Sequence, residues 1–185
     1  MLSFHQVNVN TERLLLRPLT EQDAPALFAI FSNPLVSRYL ARGAWLDISQ
    51  AHERIAKDID ALATGKYLGL GIVRRDDQAL IGECSLFNWS QQSRRAELGY
   101  ALSLDAWGHG YIGEALQALL AYGFSQMQLN RVEADIDPRN IASAKTLQRL
   151  GFQQEGTLRE RWIVNGEASD TGLYGLLASE WKLRP

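Results

Sequence analysis

Between residues 67 and 113 the chain changes its hydrophobic period and then breaks into glycines, and this passage limits the folds open to it. Three runs, 67–73 (YLGLGIV), 79–87 (ALIGECSLF) and 95–102 (RAELGYAL), are strand-like. The turn signals Arg75-Asp76-Asp77 and Ser90-Gln91-Gln92-Ser93 separate them, the pattern of hairpin-linked antiparallel strands. In the third run Ala96, Leu98, Tyr100 and Leu102 share one face, and Glu97 and Gly99 share the other. A helix over about 110–127 follows, with Ile112, Ala115, Leu116, Leu119 and Leu120 as its apolar stripe. The 98–125 segment is therefore a strand–loop–helix unit, the kind of junction where α/β proteins place ligands.

The rest of the chain supplies the flanks. Residues 12–19 (ERLLLRPL) read as a short strand that Pro18 confines to an edge or terminates. Thr20 or Asp23 caps a helix with Pro25 in its first turn and Ala26, Leu27, Ile30 and Phe31 on its apolar face; Asn33-Pro34 breaks it. Ile48, Ala51, Ile55, Ile59 and Leu62 give a second helix between Asp47 and Gly65. Residues 131–136 form a strand, and Asn140 to Leu150 a helix stopped by Gly151. The tail, 152–181, reads as two strands around Asn165-Gly166. With 185 residues and no linker or repeat, this order gives one domain over 1–185 of the α+β, or mixed α/β, class with a central crossover helix.

Composition excludes several functions. Nineteen basic and 21 acidic side chains leave a formal charge of −2, so no overall field draws nucleic acid or an anionic membrane. No segment is apolar over the ~18 residues a membrane span needs, and MLSFHQVNVN has no basic n-region followed by an apolar h-region. Cys84, the single cysteine, cannot form an internal disulfide and suits a reducing compartment; the expected location is the cytoplasm. His5, His52 and His109 show no metal-ligand spacing, and no Gly-x-Ser-x-Gly elbow is present, so neither a metal centre nor a hydrolase triad is expected.

The chemistry concentrates in Trp107-Gly108-His109-Gly110-Tyr111-Ile112-Gly113. Glycines at a strand-to-helix junction let the backbone approach an anion, which the free N–H groups and positive dipole of the first helical turn receive. A tight turn without ligand is the plain alternative; three glycines favour the anion. Gly108-x-Gly110-x-x-Gly113 also matches the dinucleotide fingerprint, with Glu133 twenty residues after Gly113. Against a nicotinamide oxidoreductase stand the antiparallel strands before the loop, the intervening Ser103–Ala106, and the 72 residues after Gly113 (185 − 113), few for a second nucleotide-binding half. No Walker lysine follows.

Several ordered motifs together resemble the GNAT superfamily of acyl-CoA-dependent N-acetyltransferases, RimJ/RimL branch. They are Thr11–Arg17, Ala96-Glu97-Leu98-Gly99-Tyr100, Trp107–Tyr111, Asn140-x-x-Ser143, Leu150-Gly151-Phe152, Asp170 and Glu180-Trp181. The resemblance implies one GNAT-fold domain: a twisted, mixed, mostly antiparallel sheet with helices on both faces. It implies acetyl-CoA as cosubstrate, no metal, and direct acetyl transfer to a primary amine. Its loop would hold the coenzyme A diphosphate through the amides of Trp107, Gly108, His109, Gly110, Tyr111, Ile112 and Gly113. Leu102 would contact the pantetheine arm and acetyl carbonyl through its main chain, and Asn140 the cofactor. Ser143, or a water it orients, would protonate the departing thiolate, because the tyrosine that many members carry four residues later is Leu147 here; Tyr174 is an outside candidate. Two features of the loop are expected to matter. Ile112 stands where the family has a small residue, with Gly113 beside it to compensate. Glu114 lies near the phosphates, unfavourable unless its carboxylate points to solvent.

Thioester aminolysis needs a neutral amine. At pH 7 an α-amine of pKa ~8 costs ~1.4 kcal/mol to deprotonate, and a lysine amine of ~10.4 costs ~4.6 kcal/mol. Glu97 is the candidate base, acting through water, with a salt-bridged strand carboxylate beside Arg94 and Arg95 as the equal alternative; Glu83 is the weaker rival. Trp45, Trp89 and Trp162 are available to line a substrate cleft or to pack. The branch implies a protein N-terminal α-amine of ribosomal type as acceptor. A polyamine, amino sugar or antibiotic amine fits the same parts, with selection in 33–64 and 158–170, and a non-catalytic acyl-CoA-binding module is a further alternative. The expected state is monomer or homodimer.

Overall fold

A computed structural model describes residues 4–65 and 67–181. Eight strands make one sheet: β1 (Val9–Asn10), β2 (Leu14–Arg17), β3 (Leu68–Arg74), β4 (Leu80–Ser90), β5 (Arg95–Leu102), β6 (Arg131–Ile136), β7 (Gln153–Val164) and β8 (Glu167–Leu177). Their spatial order is β1-β2-β3-β4-β5-β6-β8-β7, antiparallel throughout except for the parallel pair β5–β6. The hairpins over 68–102 are thus real, and their antiparallel ladder is not the parallel framework of a dinucleotide fold.

Five helices cover the sheet: α1 (Ala24–Ser32), α2 (Pro34–Ser37), α3 (Ser49–Thr64), α4 (Tyr111–Ser125) and α5 (Ile141–Leu150). Strand alternation feeds two cores. Leu14, Leu16, Leu70, Ile72, Leu86 and Leu98 meet Leu116, Leu119 and Leu147 of α4 and α5. Leu19 and Ala101 meet Leu27, Ile30, Phe31 and Ile55 of α1 and α3. Each fully buried leucine contributes about 1.5–3 kcal/mol, so these layers hold the framework on which the site is built.

Local chemistry sets the helix ends. Thr20 donates from both its main-chain N–H (2.7 Å) and its hydroxyl (2.9 Å) to Asp23, fixing the entry to α1. Asn140 accepts from the Ser143 N–H at 3.1 Å and starts α5, and Gly65 and Gly151, with φ of 66° and 100°, end α3 and α5. One sequence expectation needs correction. Asn33-Pro34 does break α1, but Pro34 then opens the extra turn α2, because Asn33 accepts from the Leu35 N–H at 2.9 Å and proline is at home in a first turn. The short β1 was also not anticipated; two residues carry no periodicity.

Candidate active site

β5 and β6 pair through only Arg95↔Arg131, Ala96↔Val132 and Glu97↔Glu133. Beyond this point β6 stays with β8 while β5 runs on to Leu102, and the two strands part. Ser103 donates its N–H to Ile81 at 2.8 Å, so odd-numbered residues of β5 direct their main-chain groups to β4. Those of Leu98, Tyr100 and Leu102 therefore face the opening. The indole of Trp107 donates to the Leu102 carbonyl at 2.9 Å, closing the end of the slot.

The glycine loop begins there. Gly108 and Gly110 have φ of 80° and 79°, a region costly to any residue with a Cβ. Trp107 donates to Leu104 and Glu114 to Gly110, but the N–H groups of the six residues between, Gly108 to Gly113, have no acceptor among the described residues. Successive free amides at a helix start form a concave anion site. Ile112 packs toward the larger core, and a Cβ on Gly113 would meet nothing within 4 Å. The large side chain at 112 is thus absorbed inside the fold, and the open side of the turn belongs to Gly113.

Glu114 does not resolve its charge by pointing to solvent, as the sequence suggested. Its carboxylate accepts from the Thr11 hydroxyl (2.6 Å), the Arg13 N–H (2.9 Å) and the Arg13 guanidinium (2.7 Å). Burial alone would raise the Glu114 carboxyl; these hydrogen bonds outweigh it and hold the group below its usual value. Arg13 also donates to the His109 carbonyl at 2.9 Å and lies 4.6 Å from the Tyr111 ring centre, tying the loop to β2.

Across the opening, Ser143 is buried in the first turn of α5. Its hydroxyl lies 2.6 Å from that of Tyr100 on β5. Sequence reading placed Tyr100 only in the apolar stripe of its strand; its phenol at an otherwise aliphatic position was the available signal. Burial pushes the Tyr100 phenol up to about 12, despite the hydrogen bond to Ser143. Tyr174 directs its hydroxyl to Gln154 at 3.5 Å, and Leu147 is core.

On the other face of β4 and β5 lies a cleft of about 960 Å³. Glu83, Ser85 and Phe87 of β4 and Gly99, Tyr100 and Ala101 of β5 help line it, with Arg42 and Arg54 from the helical side. Arg54 holds Asp58 at 2.9 Å and Glu83 at 3.2 Å, and donates to the Tyr67 hydroxyl at 2.7 Å. Burial raises the Glu83 carboxyl above the usual range, against the opposing pull of Arg54. Of the three candidate tryptophans only Trp89 lines the cleft; Trp45 is core beside Phe31, and Trp162 lies on β7. Glu97 lies opposite Phe87 in the ladder but is not a lining residue. Asn88 donates to its carboxylate at 3.2 Å and Arg95 approaches at 3.6 Å, within a surface lattice that includes Glu133. Among the described residues no group of three or more His, Cys, Asp or Glu is placed to hold a metal ion, and no helix is long and apolar enough to cross a membrane.

A sheet that opens beside a ring of free amides, with a cleft on its far face, is the frame of an acyl-CoA-dependent transferase. Residues 13–153 match the family model described as an acetyltransferase (GNAT) domain, and the chain belongs to that family. It is 37% identical over 171 residues to the uncharacterized N-acetyltransferase p20 of Bacillus licheniformis, covering 92% of this chain and 96% of p20. It is 25% identical over 185 aligned positions to the ribosomal protein uS5-alanine N-acetyltransferase of Escherichia coli, covering 95% and 93%. The crystal structure of a GNAT-family acetyltransferase from Bacillus anthracis superimposes with a TM-score of 0.85 at 25% identity, covering 94% of this chain and all of that one.

Proposed function

We propose that the protein transfers the acetyl group of acetyl-CoA directly to a primary amine. The observation that carries this is the run of six N–H groups, Gly108 to Gly113, without acceptors among the described residues and beside the opened strands. They would hold the diphosphate, with Asn140 near the cofactor and the main chain of Leu98, Tyr100 and Leu102 along the pantetheine arm. The amine would enter from the cleft. Attack forms the N–C bond, the C–S bond breaks, and its electron pair leaves on sulfur.

Glu83 is the favoured base, acting directly or through water, because it lines the cleft with a raised pKa. Glu97 is the weaker choice, held by Asn88 and Arg95 outside the lining. Ser143 would serve the leaving group. Either hydroxyl of the Tyr100–Ser143 pair can donate to the other; when Tyr100 donates, the serine's single hydrogen is left for the sulfur. A thiol near 8.5 is more acidic than either hydroxyl, so the pair stabilises the thiolate by hydrogen bonding, and water supplies the final proton.

Family resemblance and the uS5-alanine relative favour a protein N-terminal α-amine as acceptor. The cleft, about 960 Å³, also takes a small amine, which is the second reading. Intact-mass detection of a 42 Da increment on amines incubated with acetyl-CoA tests the proposal (the mass follows from replacing H by acetyl, about 42 Da). Coenzyme A binding without any acetylated product would instead mark a non-catalytic binding module.

A further inference from the structure

Arg42 lines the cleft with no direct ion-pair partner among the described residues. It lies between α2 and α3 and lines the same cleft as Glu83. Its guanidinium sits 5.2 Å from the Phe31 ring centre and 5.4 Å from that of Trp45, and these rings pack with centres 4.7 Å apart, tilted by 35°. The head group is therefore seated on an aromatic platform although exposed at the cleft mouth. No described carboxylate makes an ion pair with it, whereas Arg54 engages both Asp58 and Glu83. Partial desolvation, and then the positive field of Arg54, push Arg42 below the ordinary guanidinium value, against the weaker pull of Glu83, Tyr67 and Asp58. An arginine does not shed its proton at working pH, and Glu83 and Asp58 act on Arg42 without touching it, so an arriving anion would be its first direct partner.

That anion does not come from the donor's diphosphate, since no residue of 107–113 lines this cleft. We propose that the acceptor carries an acidic group, carboxylate or phosphate, beside its primary amine, and that Arg42 reads that group. The inference rests on the acetyltransferase reading above and narrows its substrate. The charge balance of the reaction supports it. When Glu83 takes the proton released by the amine, Arg42 and Arg54 are opposed by Asp58 alone, and an acid on the acceptor restores neutrality. A polyamine would meet the opposite situation: both carboxylates already face Arg54, and Arg42 repels a second ammonium.

The test is a matched acceptor panel with acetyl-CoA, read as thiol release and product mass. It pairs a free amino acid with its amide, phosphoethanolamine with ethanolamine, and a short peptide with an acidic second residue with its carboxamide counterpart; spermidine is added. These arms separate a carboxylate from a phosphate and a free acid from a peptide side chain. In at least one pair kcat/KM favours the acidic member by about tenfold or more, mainly through KM, as expected for one charge-assisted contact. Arg42→Gln collapses that ratio and Arg42→Lys restores part of it; using a ratio cancels any general loss of turnover. Equal use of the uncharged members, preference for spermidine, or a ratio unchanged in Arg42→Gln overturns the inference while leaving the acetyltransferase reading intact. Coenzyme A binding with no acetylation of any member overturns both.

Discussion

Arg13 and Glu114, 101 residues apart, meet in a buttress that the main-chain amide and guanidinium of the first build around the carboxylate of the second. The same guanidinium takes the His109 carbonyl, turning a loop C=O toward β2. Arg13 thereby removes a negative charge and a carbonyl from the face on which free amides gather. Arg13→Met is expected to weaken coenzyme A binding about tenfold, the loss of roughly one well-placed charge-assisted contact, with pantetheine affinity unchanged. Calorimetric titration of both ligands checks this; equal weakening of both would show only general loosening.

The Glu114 carboxyl is held low in the folded protein. Its contribution to stability is complete above the ordinary value of ~4.3 and is lost as pH falls through the depressed folded value. Glu114→Gln should therefore lower the urea midpoint at pH 7, and the gap from the parent should close on acidification below ~4. A gap independent of pH would contradict the linkage.

Much of this site was legible beforehand because it is local. The 107–113 glycines belong to the start of α4, and the cap Asn140 with Ser143 to the start of α5; each group spans only a few residues, and its place at a helix end follows from local chemistry. What stayed hidden depends on register or long-range contact. Tyr100 reaches Ser143 from 43 positions away, and Arg13 reaches Glu114 across the fold. Alternation puts Glu83 and Glu97 on one face of the sheet, but only the ladder shows which of them the cleft contains.

If Tyr100 acts through Ser143, their substitutions cannot add. Ser143→Ala and Tyr100→Phe should each lower kcat about tenfold or more with KM for acetyl-CoA nearly constant, and the double variant should resemble Ser143→Ala alone. Steady-state kinetics of the four proteins decides it; additive losses would separate the two hydroxyls.

Burial raises Glu83, so kcat/KM should climb with pH through a value above the ordinary carboxyl range of ~4.3. Glu83→Gln should remove that limb and lower kcat/KM about a hundredfold, whereas Glu97→Gln keeps the limb. A profile altered only by Glu97→Gln would reverse the assignment.

Amide NMR shifts at Gly108 to Gly113, followed during titration with coenzyme A and separately with pantetheine, address the loop itself. Coenzyme A should move these six resonances together and slow their hydrogen exchange, while pantetheine, which lacks the diphosphate, leaves them in place. Saturating coenzyme A with those amides unshifted and still exchanging freely would contradict the account.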